Sequence, residues 1–193
     1  MIGMKEMNEY ILKTPLSVDD VIPLRSGDKV SLSGQIYCAR DITHRRMMAD
    51  IDSGKSLPFS LTNMSLFYAG PSPTPPGKVT GSIGPTTSNR MDQSMEYFLR
   101  RGVRATIGKG ERSSEVKKLI EKYTSVYFIT CGGAAAYLSN FVVRSEILAY
   151  EDLGAQALVG LWVRDLPLLV AYDSHGNDLF ESGKICHRKI IIL

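Results

Sequence analysis

Three short segments of the chain each place a cationic side chain beside glycines, hydroxyls or a predicted helix start, a composition suited to binding anions. CARDITHRR carries Arg40 at a predicted strand-to-helix junction, GPTTSNRMD combines two threonines with Arg90, and GKGERS holds Lys109 between two glycines. A guanidinium can bind a carboxylate through two parallel hydrogen bonds, and a lysine flanked by glycines can approach a ligand closely. Together the three cations suit a ligand with at least two negative groups, such as a dicarboxylate.

Each of these segments also has a purely structural interpretation. Thr86–Ser88 could be a helix N-cap cluster, and Lys109 could lie in an exposed turn. The small residues of TCGGAAA favour close packing, although the turn at Gly132 could face a ligand. Asp173 and His175 could be taken for an acid–base pair, but DSHGN between two apolar runs indicates a hairpin turn.

The sequence offers few other chemical motifs. It contains neither the GxxxxGK[ST] phosphate loop nor GxGxxG. Its three cysteines, Cys38, Cys131 and Cys186, are far apart and odd in number, which disfavours a disulfide framework and indicates a reducing compartment. Their spacing matches no zinc or iron–sulfur pattern, so we expect no metal ligands in this chain.

Composition limits the class of protein. The chain has 193 residues, of which 44% are hydrophobic and 22% charged, as in ordinary globular proteins. The net charge of +3 is too small for a typical nucleic-acid-binding protein. The sequence has no apolar run long enough for a membrane span and no signal-peptide pattern at its N-terminus. We therefore expect a soluble cytoplasmic protein that forms one domain over residues 1–193.

The motifs must be positioned by strands and helices that alternate after residue 84. The first third of the chain is β-rich, with one helical turn after Ser17 and a predicted helix over 41–51. The later pattern predicts strands at 103–107, 125–130, 142–148, 158–163 and 168–172, and helices at 91–99, 113–123 and 134–138. Such alternation predicts parallel strands covered by helices, with a further β layer stacked on them. The apolar C-terminal end, 184–193, is expected to dock on the protein as a short tail.

In order along the chain, several segments resemble the β subunit of class I iron–sulfur fumarate hydratase and of L(+)-tartrate dehydratase. They are SGQIYCARDITHRRM, GPTTSNRMD, GKGERS, TCGGAAAYLS, AYEDLGAQAL and LPLLVAYDSHGND. The family's usual GPTTAGRMD has Ser88 and Asn89 here in place of Ala-Gly, and its GGPAA lacks the proline. Neither departure replaces a charged group.

The resemblance implies an α/β fold, a three-layer swivelling β/β/α domain with mixed sheets. It also implies an α-subunit partner that carries three cysteine ligands for a 4Fe–4S cluster, in a heterotetramer or around a homodimer of this chain. The family positions that match imply that Arg40, Arg90 and Lys109 hold the substrate carboxylates and that Thr86 transfers the proton. Supporting roles fall to the neighbouring residues of the same motifs, namely Asp41, His44, Thr87 and Gly132, with the first two orienting Arg40.

The implied reaction is the reversible addition of water to fumarate to give (S)-malate, by a chain that is inactive without its partner. Tartrate dehydration is the alternative within the family. A non-catalytic module that binds a phosphate or nucleotide at the same strand ends is the alternative outside it. Neither nucleic acid nor membrane is an expected partner.

Overall fold

The computed structural model describes residues 7–188. The strands are β1 (Glu9–Lys13), β2 (Lys29–Cys38), β3 (Ser65–Phe67), β4 (Ala105–Gly108), β5 (Val126–Ile129), β6 (Val142–Ala149) and β7 (Leu158–Tyr172). The α-helices are α1 (Val18–Val21), α2 (Asp41–Asp52), α3 (Asp92–Leu99), α4 (Ser114–Lys122), α5 (Ala135–Leu138) and α6 (Leu179–Arg188). Short 3-10 helices cover Ser88–Met91, Ser139–Phe141 and Glu151–Gln156. The predicted α/β class is confirmed.

The strands form one mixed sheet in the order β1-β2-β3-β4-β5-β7-β6. Strands β1 to β5 run parallel to one another, and β7 is antiparallel to β2, β5 and β6. The parallel arrangement predicted for the strands after residue 84 is therefore confirmed for β4 and β5 and wrong for β6 and β7. Because β7 also pairs with β2, the strands β2, β3, β4, β5 and β7 close into a ring. This closure leaves β1 and β6 as the edge strands.

Two faces of this ring bury different cores, which gives the layered arrangement. The inner face of the ring is filled by aliphatic and aromatic side chains from opposite strands, among them Leu32, Ile107, Phe128 and Leu161. The outer face of the parallel strands packs against α2, α3 and α4 in two further clusters. The result is a β layer facing a β layer that is covered by helices, which agrees with the predicted β/β/α order.

Several predicted boundaries are confirmed, and the last strands differ. The helix at 41–51 ends one residue later, at Asp52. The strands predicted at 158–163 and 168–172 are a single strand, β7. The polar residues between them form an irregularity in which Asp165 has φ of 54° and its backbone N–H donates to Ser33 Oγ at 2.9 Å. A bulge therefore absorbs the residues that interrupt the hydrophobic alternation.

The segment DSHGN forms the predicted turn, but within the described residues it is followed by the helix α6 and not by a second strand. The Asp173 carboxylate accepts the backbone N–H groups of Ser26, His175 and Asn177. Asp178 Oδ1 then accepts the backbone N–H of Phe180 at 2.8 Å, which starts α6 in place of a strand. Part of the expected C-terminal tail belongs to α6, and residues 189–193 lie outside the described range. None of the helices within residues 7–188 has the length and apolarity to cross a bilayer.

Candidate functional site

The parallel strands β2 to β5 end at one edge of the sheet, and three predicted site residues, Arg40, Lys109 and Gly132, follow these ends together with Tyr68. Arg40 comes two residues after β2, Tyr68 directly after β3, Lys109 directly after β4, and Gly132 three residues after β5. The carboxyl ends of parallel strands are the usual place for ligands in α/β proteins. The fold therefore brings Arg40, Lys109 and Gly132 to the same edge of the sheet.

The segment that carries Thr86 is held between the ends of β3 and β4. The backbone N–H of Thr86 donates to the Tyr68 carbonyl at 2.7 Å, and the N–H of Ser88 donates to the Lys109 carbonyl at 3.0 Å. Thr87 forms an isolated parallel bridge with Lys109. We call residues 84–90 the threonine loop. These bonds fix its backbone beside Lys109, so Thr86 and Lys109 lie at adjacent positions of the edge.

Neither threonine is used as a helix cap in the described part of the chain. Thr87 precedes the 3-10 helix but makes no side-chain capping bond, and its side chain is exposed. The Thr86 hydroxyl instead lies 3.5 Å from Arg90 Nη1. The structural interpretation of these hydroxyls as an N-cap cluster is therefore wrong.

Arg90 forms an ion pair with Asp41 through its Nη2 atom. Asp41 was expected to orient Arg40, and in the structure its carboxylate pairs with Arg90. The reason is that Asp41 begins α2, which packs against the 3-10 helix that carries Arg90. The second carboxylate oxygen, Asp41 Oδ1, is buried without a hydrogen-bond partner among the described residues. Asp41 therefore holds the Arg90 guanidinium close to Thr86.

Glycines make room for the other two cations. A Cβ atom at Gly70 would lie 3.1 Å from Arg40 Cδ and 3.0 Å from the carbonyl of Ala155, which belongs to the segment AYEDLGAQAL. Gly70 therefore lies against both the Arg40 side chain and this segment. A Cβ atom at Gly132 would lie 3.4 Å from Lys109 Cδ and 3.8 Å from its Nζ. Gly132 thus lies against the Lys109 side chain. A side chain at position 70 would press on Arg40, whereas a Cβ atom at position 132 would be in ordinary van der Waals contact with Lys109.

His44 was expected to orient Arg40, and among the described residues its ring makes no hydrogen bond to Arg40, whose carbonyl accepts the His44 backbone N–H at 2.8 Å. The ring is buried between Tyr68 and Phe98, with centroid distances of 5.5 and 4.9 Å, and Nδ1 lies 3.3 Å from Ser94 Oγ. Burial, together with the positive charge of Arg112, lowers the pKa of His44 to about 3. The ring is therefore neutral at pH 7 and supports the helix layer under the site.

The buried neutral His44 predicts a stability that falls in acid. An unfolded histidine has a pKa near 6.5, so between about pH 3 and 6.5 the unfolded state binds a proton that the folded state does not. The contribution of His44 to the free energy of unfolding is complete above this window, and it should be about 2 kcal/mol smaller at pH 5. His44→Phe should remove that share of the pH dependence. Urea unfolding between pH 5 and pH 7.5 measures it.

Ser94→Ala is the matched control, because it removes the hydrogen bond to Nδ1 but keeps the imidazole ring. The Ser94→Ala variant should keep the loss of stability at acid pH that is expected of the unaltered chain. An equal pH dependence in the His44→Phe variant and the unaltered chain would contradict the prediction.

Ser88 joins the threonine loop to β4, and its hydroxyl fills the space that a side chain at position 108 would need. Its Oγ accepts the Lys109 backbone N–H at 3.1 Å and is hydrogen-bonded to the Tyr127 hydroxyl at 2.9 Å. A Cβ atom at Gly108 would lie 1.9 Å from that Oγ. Ser88, where the resembled family usually has alanine, therefore requires glycine at position 108.

This packing predicts a paired substitution effect. Gly108→Ala alone should destabilise the chain by about 1–3 kcal/mol, because the new methyl overlaps the Ser88 hydroxyl. Ser88→Ala alone should cost about 1 kcal/mol for the lost hydrogen bonds. The double variant should be more stable than Gly108→Ala. Urea unfolding of all four chains measures these effects, and purely additive losses would show that the two positions do not interact.

Sequence reasoning missed four residues that shape the site. They are Gly70, Tyr68, Ser88 and Arg112. Arg112 lies within the quoted motif GKGERS, and its side chain is completely inaccessible to solvent. An arginine in a predicted turn gives no sign of such burial. Tyr68 follows β3, and its carbonyl accepts the N–H of Thr86.

The described residues do not form a ligand set for a metal or cluster. Within residues 7–188, no group of three or more His, Cys, Asp and Glu side chains could hold a metal ion. Cys38 is a buried free thiol whose pKa is raised by burial, and Cys131 is an exposed free thiol on the turn before Gly132. The side chains of this edge can bind anions and carry protons.

Comparison with known proteins gives a consistent family. The model described as Fumarase C-terminus matches residues 3–183. A putative L(+)-tartrate dehydratase subunit beta from Methanocaldococcus jannaschii is 40% identical over 172 residues, which cover 86% of this chain and 88% of that protein. The L(+)-tartrate dehydratase subunit beta of Escherichia coli K12 is 32% identical over 181 residues, covering 90% and 88%.

Fumarate hydratases are similar to this chain over one part of their length. The anaerobic class I fumarate hydratase of Escherichia coli K12 is 34% identical over 180 residues, which cover 92% of this chain and 31% of that protein. Across this and two other such relatives, the matched region spans 29–31% of their length.

Proposed function

The chain belongs to the fumarase C-terminus family, and from that membership we propose that it is the β subunit of an iron–sulfur hydro-lyase that reversibly adds water to fumarate to give (S)-malate. Its relatives are named fumarate hydratases and tartrate dehydratases, which are hydro-lyases. Because two relatives are named as β subunits, the proposal includes an α-subunit partner. The 4Fe–4S cluster is assigned to that partner.

The observation that carries the proposal is the threonine loop held between the ends of β3 and β4. Its two backbone hydrogen bonds set Thr86 next to Lys109, and Arg90 lies 3.5 Å from the Thr86 hydroxyl. A hydroxyl thereby lies beside the Arg90 guanidinium and next to the position of Lys109, at an edge where a dianionic ligand is favoured. This arrangement suits removal of a proton from carbon next to a bound carboxylate.

Arg40, Arg90 and Lys109 bind the two carboxylates. Both arginines can form paired hydrogen bonds to a carboxylate, and Lys109 adds a point charge from the adjacent strand end. Arg40 Nε is buried without a partner in the described part of the chain, so a ligand or a neighbouring subunit could complete its hydrogen bonding. Binding both carboxylates fixes the carbon skeleton relative to Thr86.

Thr86 transfers the proton. In dehydration, the ionised Thr86 Oγ accepts the proton from the carbon beside a carboxylate, the electrons of that C–H bond form the double bond, and the hydroxyl on the neighbouring carbon departs with the electrons of its C–O bond. The partner's cluster, when bound, would supply the Lewis acid that receives this hydroxide. In hydration, the same oxygen returns a proton to carbon. A threonine hydroxyl is a weak base, and the Arg90 guanidinium favours its ionised form by adjacent positive charge.

Tartrate is the second candidate substrate. The chain matches 88% of the length of both tartrate dehydratase β subunits, and the higher of the two identities is 40%. Tartrate is also a four-carbon dicarboxylate, so it can use the same cations. Fumarate and tartrate differ in their hydroxyl groups and carbon geometry, which a two-subunit pocket can distinguish.

An anaerobic assay tests the function. The chain is measured alone, then mixed with a candidate cysteine-bearing α subunit after cluster reconstitution, with fumarate and L(+)-tartrate in parallel. Activity in the mixture alone is the expected result, and the preferred substrate decides between the two candidates. A formed complex with an intact cluster and no activity on either acid would overturn both substrates.

Failure to form a complex would favour the non-catalytic alternative. A thermal-shift series with this chain then separates the ligand classes. A raised melting temperature with phosphate or ATP, and none with fumarate or tartrate, would identify a phosphate-binding module.

A further inference from the structure

A buried arginine lies beneath the threonine loop, outside the set of residues assigned to substrate. The Arg112 side chain is fully buried, and its Nε donates to Asp92 Oδ1 at 2.5 Å. Its two Nη atoms are buried without a hydrogen-bond partner among the described residues. A buried cation with so few partners is costly, since removing charge from water is compensated only by close opposite charge and good hydrogen bonds.

The neighbours of Arg112 are the groups that hold the site backbone. Its guanidinium carbon lies 5.2 Å from the centroid of the Tyr68 ring and 5.3 Å from that of Tyr127. Tyr68 accepts the Thr86 N–H through its carbonyl. The Tyr127 hydroxyl contacts Ser88 Oγ at 2.9 Å and the Gly110 carbonyl at 2.8 Å. One buried cation thus touches the supports of the threonine loop and of the Lys109 turn.

Asp92 extends this network to the helices. It begins α3, two residues after Arg90, and its second oxygen accepts the N–H of Ser113 at 2.9 Å. Ser113 is the N-cap of α4. The Asp92 carboxylate therefore links the start of α3, which follows the threonine loop, to the residues after Lys109.

We propose that Arg112 is the positioning residue that keeps the threonine loop in register with Lys109, so that Thr86 and Arg90 face the same ligand. Its effect on catalysis rests on the proposed hydro-lyase function, whereas its effect on the loop does not. Misplacement of a reacting group by about 1 Å can lower a rate by about 100-fold. The residue acts through Tyr68, Tyr127 and Asp92 and need not touch substrate.

The test compares Arg112→Met and Arg112→Lys with Arg104→Met. Arg104 is the matched control because it is a partly buried arginine at the opposite end of β4, where its Nη1 donates to the carbonyls of Tyr123 and Thr124 at 2.7 Å. Both methionine variants lose a guanidinium, fully buried in Arg112 and partly buried in Arg104, but only Arg112 adjoins the loop. Hydrogen exchange is measured in the full chain alone, and kcat and KM are measured in the complex.

In Arg112→Met, we expect amide exchange in residues 84–92 and 108–111 to become at least about tenfold faster than in Arg104→Met, after normalisation to exchange in β7. In the complex, kcat should fall about 100-fold while KM changes by less than about threefold. Arg112→Lys should recover part of both effects, because it restores the charge opposite Asp92 without the planar fork.

Equal exchange in the loop and equal kcat for the Arg112→Met and Arg104→Met variants would overturn the proposal and leave Arg112 a purely stabilising residue. If Arg112→Met does not fold, Arg112→Lys decides by the same two measurements. An inactive unaltered complex overturns the hydro-lyase function, while the exchange measurement on the chain alone still decides the role of Arg112.

Discussion

Replacing Thr86 by alanine should lower kcat for hydration by about 1000-fold, since positioned proton transfer contributes about 10²–10⁴-fold. The Thr86 hydroxyl is the one placed 3.5 Å from Arg90 Nη1, and its backbone is fixed by the Tyr68 carbonyl. Alanine keeps that backbone bond, so the loop and its cations remain in place. The variant should therefore assemble with the α subunit and bind substrate with a nearly unchanged KM.

Two measurements separate chemistry from assembly in this variant. Size-exclusion chromatography reports the complex, and exchange of the substrate carbon-bound proton with deuterated solvent reports the proton step. Thr86→Ser should retain a substantial share of both rate and exchange because it keeps the hydroxyl. Thr62→Ala, at an exposed threonine far along the chain from the loop, is the control for threonine loss in general. Near-normal turnover in an assembled Thr86→Ala complex would remove Thr86 from the mechanism.

The placement of Arg40 and Lys109 could be predicted because it depends on local pattern. Alternating apolar residues identify strands, and the residue after a parallel strand falls at a known edge of the sheet. The cationic motifs therefore met at one edge in the structure as expected. Gly132 was likewise predictable as a residue following a strand, although its contact with the Lys109 side chain was not.

The contacts that join the motifs could not be predicted from pattern. Asp41 and Arg90 are 49 residues apart, and their pairing depends on how α2 packs against the 3-10 helix. The burial of Arg112 is likewise a tertiary effect, since its local sequence is typical of an exposed turn. Periodicity also divided β7 at its bulge, because polar residues in a bulge have the same pattern as a loop.

The Asp41–Arg90 pair leads to the second large expected effect. Arg90→Lys should raise KM by about 10- to 100-fold, because an ammonium cannot reproduce the paired hydrogen bonds, each worth about 1.5–3 kcal/mol when a charged group is involved. A lysine would also pair with Asp41 at a single point and leave less of its charge directed at the ligand. The change in kcat should be smaller than the change in KM, since Thr86 keeps its backbone position.

Arg46→Lys is the matched control for Arg90→Lys. Arg46 is an exposed arginine of α2 that pairs with Asp152 at 3.3 Å, so it tests the loss of a surface guanidinium without the threonine loop. Its KM should stay within about twofold of the unaltered complex, because exposed ion pairs contribute about 1 kcal/mol or less. Steady-state kinetics over a wide substrate range measures both variants. An unchanged KM in Arg90→Lys would mean that Arg90 serves Asp41 alone and that the substrate carboxylates rest on Arg40 and Lys109.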